Sequence, residues 1–574
     1  MPFGMSREEY AGRYGPTAGD CVRLGDTDLW VEVEADHVGF GDEPLWGYGK
    51  NIRSRMTQSD QVAAESELDV LVAGVLVLDP YLGAVKANIG IKDGRVVGIG
   101  RAGNPDITDG IDMTIGPNTL PIMGYGLIAT AGAVDSHVHL ITPQLVPVAM
   151  AAGVTTLITA GFEEPPMAMR ITMRAFESLP VNLGLQASAR TDVPAAVERV
   201  IEAGSIGLKI HEDWGAYPEV IDATLRLADA YDVAVCLHTD SLNESAELTD
   251  TVAAIAGRAV HAYHVEGTGG GHIPDLLGLV REPNIVCSST TPTVPFGTGT
   301  AREHVDMILM VHGGNPDVAG DVEAASERVR PVTMAAEGPL HDLGAISIIN
   351  SDSQGMGRIG ETVRRTWQLA HAMKAWRASE LGAGWPEPPA VPRSVGVTPG
   401  GADNERVLRY LAKYTSEPAI THGVADEVGS LRPGRLADIV LWEPSRFGVQ
   451  PALVLKGGHF AWGPLGVGNA AVEGVEPVVF APHWAATGAA AASVATTFVS
   501  QAALDAGVRE RLGSARRFVA ARDMRGVRRA SLVANREAPP IEVDPSDGAV
   551  RLEGRDLRCE PVDEVPLNRR YLLS

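Results

Sequence analysis

Ala131-Gly-Ala-Val-Asp-Ser-His-Val-His-Leu140 is an apolar run with period-two character that ends in two histidines one residue apart, His137 and His139. On a strand, positions i and i+2 face the same side. Both imidazoles therefore point to one place, and Val138 turns away. Two neutral imidazoles converging at a strand end are what a borderline divalent cation needs. Two histidines satisfied by backbone or water would read the same way, so the decision falls to the residues downstream.

Downstream, between residues 130 and 360, the chain repeats strand, loop, helix. Val154–Thr159 is a strand followed by a loop and the helix-like stretch Met167–Ser178. Val181–Gln186 is followed by Val193–Ala203, and Ile206–His211, Val233–His238, Ala259–His264, Ile285–Ser288 and Ala345–Asn350 continue the series. With the histidine-ended strand that makes eight candidate strands. Alternating βα units of this number predict an α/β chain built on a closed, parallel (β/α)8 TIM-like barrel, whose chemistry sits at the C-terminal ends of the strands. Upstream, residues 1–66 are polar and rich in Gly and Asp, with turns expected at Tyr14–Asp20 and Gly39–Lys50. Asp69–Asp79, Val85–Lys92 and Gly94–Gly100 are short β-rich runs separated by Pro, Gly and Asp, which predicts a small β-sandwich ahead of the barrel.

Composition sets the bounds. A chain of 574 residues has room for two to four domains. Its formal net charge of -24 argues against nucleic acid and anionic membranes as partners. Cys21, Cys236, Cys287 and Cys559 lie far apart with no CxxC pair, and read as reduced thiols of a cytoplasmic protein. The first ten residues lack a basic region followed by an apolar one, so no signal peptide is expected. Trp484–Leu504 is too rich in Ala, Thr and Ser for a membrane span.

The strand ends carry the chemistry. Strand four ends in Gly207-Leu-Lys-Ile-His-Glu-Asp213, which places Lys209 and His211 on one face. Strands five and six end at His238 and His264, and strand eight runs into Ser351-Asp352-Ser353. Singly, a strand-end lysine is usually solvated, a strand-end histidine bonds a loop carbonyl, and an aspartate after a strand caps a helix. Together they converge on one barrel mouth.

At these residues the chain resembles the amidohydrolase superfamily and, within it, the urease alpha (catalytic) subunits. The resemblance runs along nearly the whole length. It is carried by Tyr14–Asp20, Ala87–Arg95, Ala102–Asp106, Leu208-Lys-Ile-His-Glu-Asp-Trp-Gly215, Leu237–Ser245 and Gly269-Gly-Gly-His272, then by Leu340–Ala345, Ser351–Gln354, Tyr414-Thr415 with Thr421-His-Gly423, and Gly434–Val440. It implies that Lys209 is a carbamylated lysine (N6-carboxylysine, made with CO2) bridging two Ni2+ ions. His137, His139 and Asp352 would hold one ion, and His238 and His264 the other. A lysine ammonium has no lone pair and cannot ligate, whereas the carbamate offers two anionic oxygens. Residue chemistry alone does not choose between zinc, nickel and manganese.

The activity implied is hydrolysis of urea to ammonia and carbamate. His211 would be the substrate-binding and catalytic donor to the carbonyl oxygen. His312, in Met310-Val-His-Gly-Gly-Asn-Pro316, would be a lid histidine acting as general acid, with Asp213 and Arg328 as its charged neighbours. The domains implied are residues 1–129 (β-rich), 130–422 (the metal-binding barrel), 423–482 (a return segment completing the β-sandwich) and 483–574 (a C-terminal α/β extension). The similarity begins almost at Met5, which implies separate small beta and gamma subunits, a higher oligomer, and accessory proteins for nickel insertion.

Two departures keep alternatives open. The family has a cysteine before the lid histidine where this chain has Val311, and the connection Thr159–Pro166 is shorter than the family's glycine-rich loop. A metal amidohydrolase acting on another amide or urea-like compound, and a non-catalytic assembly subunit, therefore stand beside urea hydrolysis. Of the cysteines, Cys236 should lie sealed beneath the metal layer, two residues deeper than His238, and Cys287 should lie nearer the mouth, within reach of a reagent.

Overall fold

The computed structural model describes residues 4–47, 51–63, 65–161, 165–211, 215–238, 248–267, 275–466 and 478–568. Near the N-terminus, a helix at Arg7–Tyr14 precedes the turns expected there. Ser6 Oγ accepts from the Glu9 N–H and the Glu9 carboxylate accepts from the Ser6 N–H, a capping box that satisfies two orphan donors reciprocally.

Two ten-residue strands, Val70–Asp79 and Gly83–Lys92, pair antiparallel at the centre of a ten-stranded sheet. A bulge between Val72 and Val75 divides the first strand. Below it Val70–Ala73 pairs with Leu120–Met123, and above it Leu76 and Val77 pair with Ile128–Ala131. Gly74 makes the bend: its φ is +61°, and a Cβ would lie 2.2 Å from the Tyr125 ring. Ile128–Ala131 pairs antiparallel with Ile439–Trp442, and Leu453–Lys456, His459–Gly466 and Val478–Pro482 continue outward. One apolar cluster joins Val96 and Ile122 on one branch to Leu441 and Leu455 on the other, so the branched sheet folds over its own core.

From Ile128–Ala131 the chain passes through Gly132 directly into the barrel. Its strands, in order, are β1 (Ala133–Val138), β2 (Val154–Thr159), β3 (in two pieces, Asn182–Gly184 and Gln186–Ser188), β4 (Gly207–Ile210), β5 (Ala234–His238), β6 (Val260–Tyr263), β7 (Ile285–Thr290) and β8 (Ile348–Asn350). Neighbours pair in parallel, and the strands are buried almost throughout, as strands covered on both faces must be. A parallel bridge from Val138 to Ser353 closes the ring, and the His139 N–H donates to the Ser353 carbonyl at 2.9 Å.

The covering helices include α1 (Pro166–Ala175), α2 (Pro194–Ala203), α3 (Pro218–Tyr231), α4 (Thr300–Val311), α5 (Ala319–Arg328) and α6 (Pro331–Asp342). Four of them open with proline at the first helical position, where its missing N–H costs nothing and its φ is already helical. The lower piece of β3 pairs not with β4 but with Thr496–Val499, which pairs in turn with Arg517–Ala520. The C-terminal segment thus extends the barrel wall in parallel. Among the described residues, no helix is long and apolar enough to cross a membrane.

Candidate metal centre

Asp135, His137 and His139 stand at alternate positions along β1 and its continuation, with a register irregularity between Asp135 and Val138. The buried Asp135 carboxylate accepts from the His137 N–H (3.2 Å), the Ser351 N–H (3.1 Å) and the Thr362 hydroxyl (2.9 Å). Burial raises its carboxyl to about 6, against the pull of these hydrogen bonds. It ties the first barrel strand to the last.

Beyond β8 the chain turns sharply. Asp352 has φ +55° and Gln354 φ +61°, conformations that cost an L-residue about 1–3 kcal/mol and persist only where the surroundings enforce them. Here the Asp352 carbonyl accepts from the Gly355 and Gly357 N–H groups (3.1 and 2.8 Å), and Gln354 Oε1 accepts from the Ile141 and Thr142 N–H groups (2.7 and 3.0 Å). The turn aims Asp352 Oδ1 to within 3.3 Å of His137 Nε2 and 3.1 Å of His139 Nε2. A carboxylate oxygen and two imidazole nitrogens so placed suit a borderline divalent cation. His137 Nδ1 is buried without a hydrogen-bond partner among the described residues. Gly355 forms the cradle: a Cβ there would lie 2.5 Å from Asp352 Oδ1 and 2.8 Å from His139 Cδ2.

A second histidine group adjoins the first. The His238 ring lies 3.9 Å from that of His211 and 4.3 Å from that of His264, and His264 is 5.6 Å from His137. His264 also has a positive φ, +32°. Lys209 Nζ sits 4.0 Å above the Tyr263 ring, which packs 4.0 Å from the His137 ring. Gly161, with φ +71°, backs onto Lys209; a Cβ there would meet the lysine Cβ at 2.6 Å.

Electrostatics keep these imidazoles neutral. Burial, reinforced by the Lys209 charge, holds His137 well below its ordinary value, His211 at about 2 and His264 at about 3. Burial and then His211 do the same for His238. A neutral imidazole keeps the lone pair that ligation needs.

All the site residues named from the sequence line a single cavity of about 570 Å³, except Asp213 and Arg328. Asp213 lies outside the described residues. Arg328, at the end of α5, donates to His312 Nε2 at 3.0 Å. His312 is not in mid-loop; it is the residue that caps α4, with Nδ1 3.0 Å from the Ile308 carbonyl. A guanidinium can only donate, so Nε2 is the acceptor and the proton is on Nδ1, directed at Ile308.

The sequence reading passed over Asp135, Tyr263, Gly355 and His304. Asp135 lay inside the stretch already quoted, one strand period below His137. His304 is buried on α4 with both ring nitrogens unpartnered among the described residues, and no sequence spacing ties it to the barrel strands. The expectation for Cys287 is corrected. It is fully buried in the middle of β7, which runs on to Thr290, and Arg529 Nη2 donates to its sulfur at 3.0 Å.

Residues 128–477 match the model of the amidohydrolase family, and residues 3–122 that of the urease alpha-subunit N-terminal domain. Among similar solved structures is a D-hydantoinase (dihydropyrimidinase) from Thermus sp., 13% identical, covering 68% of this chain and 95% of its own, with a TM-score of 0.48. Another is an L-hydantoinase (dihydropyrimidinase) from Arthrobacter aurescens, 16% identical, covering 76% and 100%, with a TM-score of 0.44.

Proposed function

This chain belongs to the amidohydrolase family, and we propose that it is the catalytic subunit of a urease, hydrolysing urea to ammonia and carbamate. The observation that carries the choice of urea is the match of residues 3–122 to the urease alpha-subunit N-terminal domain. The donor geometry supports a pair of metal ions. His137, His139 and Asp352 would hold one and His238 and His264 the other, with Lys209, carbamylated by CO2, bridging them. We take the ions to be Ni2+ from the resemblance to ureases. Bound there, two divalent cations supply Lewis acidity to the urea carbonyl and acidify water.

The chain's own residues do the rest. His211 is held neutral by burial, so it donates a hydrogen bond to the carbonyl oxygen rather than a proton. A donor of that kind, aimed where negative charge develops, is worth about 2.7–4 kcal/mol. His312 is the candidate acid for the departing ammonia. Its Nε2 accepts from Arg328, so delivering a proton from that atom requires the contact to open. Asp213 completes this group by resemblance.

Separate beta and gamma subunits, a higher oligomer, nickel-insertion proteins and a cytoplasmic location belong to the same reading. A second reading, hydrolysis of another amide or urea-like compound on the same metal frame, is favoured by the short Thr159–Pro166 connection. Purified, metal-loaded assembly is assayed for ammonia release from urea and from a panel of linear and cyclic amides. Turnover of urea is expected. Turnover of another amide without urea would select the second reading, and no turnover of any would leave a non-catalytic subunit.

A further inference from the structure

Beneath the catalytic cavity lies a second group of ligand-type side chains. Cys236 in mid-β5, His261 in β6 and His422, which follows the helix Ser416–Thr421, each offer one ligand atom, and the three atoms lie within 4.8 Å of one another. All three residues are buried, at 0, 2 and 0% exposure. The Tyr263 ring separates this group from the upper one, lying 4.0 Å from the His137 ring and 4.5 Å from that of His261.

We propose that Cys236, His261 and His422 form a second metal site, distinct from the catalytic one, that takes a single soft monovalent cation, Cu+. The chemistry of the donors selects the class of ion: one sulfur and two imidazole nitrogens, with no oxygen among them, exclude hard cations. His261 Nδ1 and His422 Nε2 are 3.1 Å apart. Two nitrogens sharing an ion at 2.0–2.1 Å are separated by roughly 3.3–3.5 Å, so a small opening admits the ion between them. The opposite nitrogens, His261 Nε2 and His422 Nδ1, are buried without hydrogen-bond partners. An ion between the facing nitrogens would take both their lone pairs, so both opposite nitrogens would then carry the ring protons.

Charge chooses among the soft ions. The trio holds no carboxylate, and Arg525 lines the same small cavity as His261. Cu+ with one thiolate and two neutral imidazoles is uncharged, whereas Zn2+ would leave a net positive charge in a dry interior near Arg525. On binding, the Cys236 S–H bond breaks, an S–Cu bond forms and the proton leaves to solvent; nothing is oxidised or reduced. A cavity of about 10 Å³ adjoins His261 at the end of the barrel opposite the catalytic mouth, lined also by Ala234, Val260, Thr421 and Met524.

The catalytic cavity offers nitrogen and oxygen donors and the Met356 thioether, so a sulfur neighbour that Cys236→Ala removes identifies the lower site whatever the fate of the urease reading. The purified full-length chain is titrated anaerobically with Cu+ against a chromophoric chelator, and the bound copper is examined by X-ray absorption. One equivalent with one sulfur and two nitrogen neighbours is expected in wild type and in Cys21→Ser. Cys236→Ala should lose the sulfur neighbour and bind at least roughly 100-fold more weakly, more than losing a group that only orients a ligand costs. His422→Gln should keep the sulfur and lose a nitrogen. Copper without a sulfur neighbour in wild type overturns the proposal, and that measurement needs no variant to fold. A sulfur signal that survives Cys236→Ala, or Zn2+ displacing Cu+ at equal concentration, overturns it too.

Discussion

Replacing Gly355 by alanine perturbs the candidate centre without removing any ligand. Its backbone is open to L-residues, since its φ lies outside the left-handed region, so the substitution acts through its Cβ alone. That atom would lie 2.5 Å from Asp352 Oδ1, 2.8 Å from His139 Cδ2 and 3.1 Å from His139 Nε2, against 3.4 Å for ordinary contact. The carboxylate oxygen must retreat by about 0.9 Å and the imidazole carbon by about 0.6 Å. Metal–ligand distances tolerate only about 0.2 Å, and a reacting constellation about 0.5 Å. Affinity for the ion held by His137, His139 and Asp352 should fall roughly 10–100-fold, as for other changes that disturb ligand orientation, which is about 1.4–2.7 kcal/mol. The ion at His238 and His264 should stay. Turnover should fall about 100-fold, the usual effect of a misplacement near 1 Å. Metal content is read by competition with a graded chelator, beside thermal unfolding of the metal-free protein. Two ions bound with wild-type affinity would refute the cradle argument. So would a loss of metal-free stability large enough to explain the change by itself.

Four further outcomes follow from the same geometry. Lys209→Ala should lose both ions and activity together, with partial rescue by a small carboxylic acid; two tightly held metals in that variant would sink the carbamate assignment. His312→Ala should keep its metal and lose roughly 10²–10⁴-fold in kcat, the range of a general acid, and loss of metal instead would make it a ligand. His304, held at about 4 by burial, is neutral in folded and unfolded chains above pH 6.5. As pH falls from 6.5 to 4 the unfolded chain binds a proton that the folded one refuses, which costs about 1.4 kcal/mol of stability per pH unit. His304→Leu should flatten that acid limb in chemical-denaturation curves, and identical slopes would contradict it. Val311 is exposed on the cavity wall, so Val311→Cys should become the variant most quickly inactivated by a bulky maleimide; Cys287→Ser should change nothing, and protection by it would put Cys287 within reach after all.

What the sequence determined by itself is what local periodicity encodes. Alternation along Ala131–Leu140 puts His137 and His139 on one side whatever the rest of the chain does, and the same rule brings Lys209 together with His211. The eight β-rich runs, each with a polar or ligating residue at its end, predict strands paired in parallel, and proline at the first turn starts four of the helices that cover them. The capping box at Ser6 and Glu9 was equally legible, and the turn-rich reading of residues 1–66 simply overlooked it.

Tertiary structure decided depth, register and pairing over long separations, which no window along the chain contains. Cys287 reads as a strand-end thiol, yet register sets it in mid-strand under Arg529, 242 residues away. The lower piece of β3 takes Thr496–Val499 as its partner, because the split at Leu185 leaves that piece unpaired with β4. His312 reads as a loop residue because glycines follow it, but α4 extends to Val311 and leaves it as the cap. The left-handed turn at Asp352 exists only because the loops after β1 and β8 are laced together when the barrel closes. Closure also gathers Cys236, His261 and His422: the first two are register partners on adjacent strands, and the third arrives from beyond the barrel's last strand. Periodicity fixes which way a side chain faces; only the closed ring fixes what it meets.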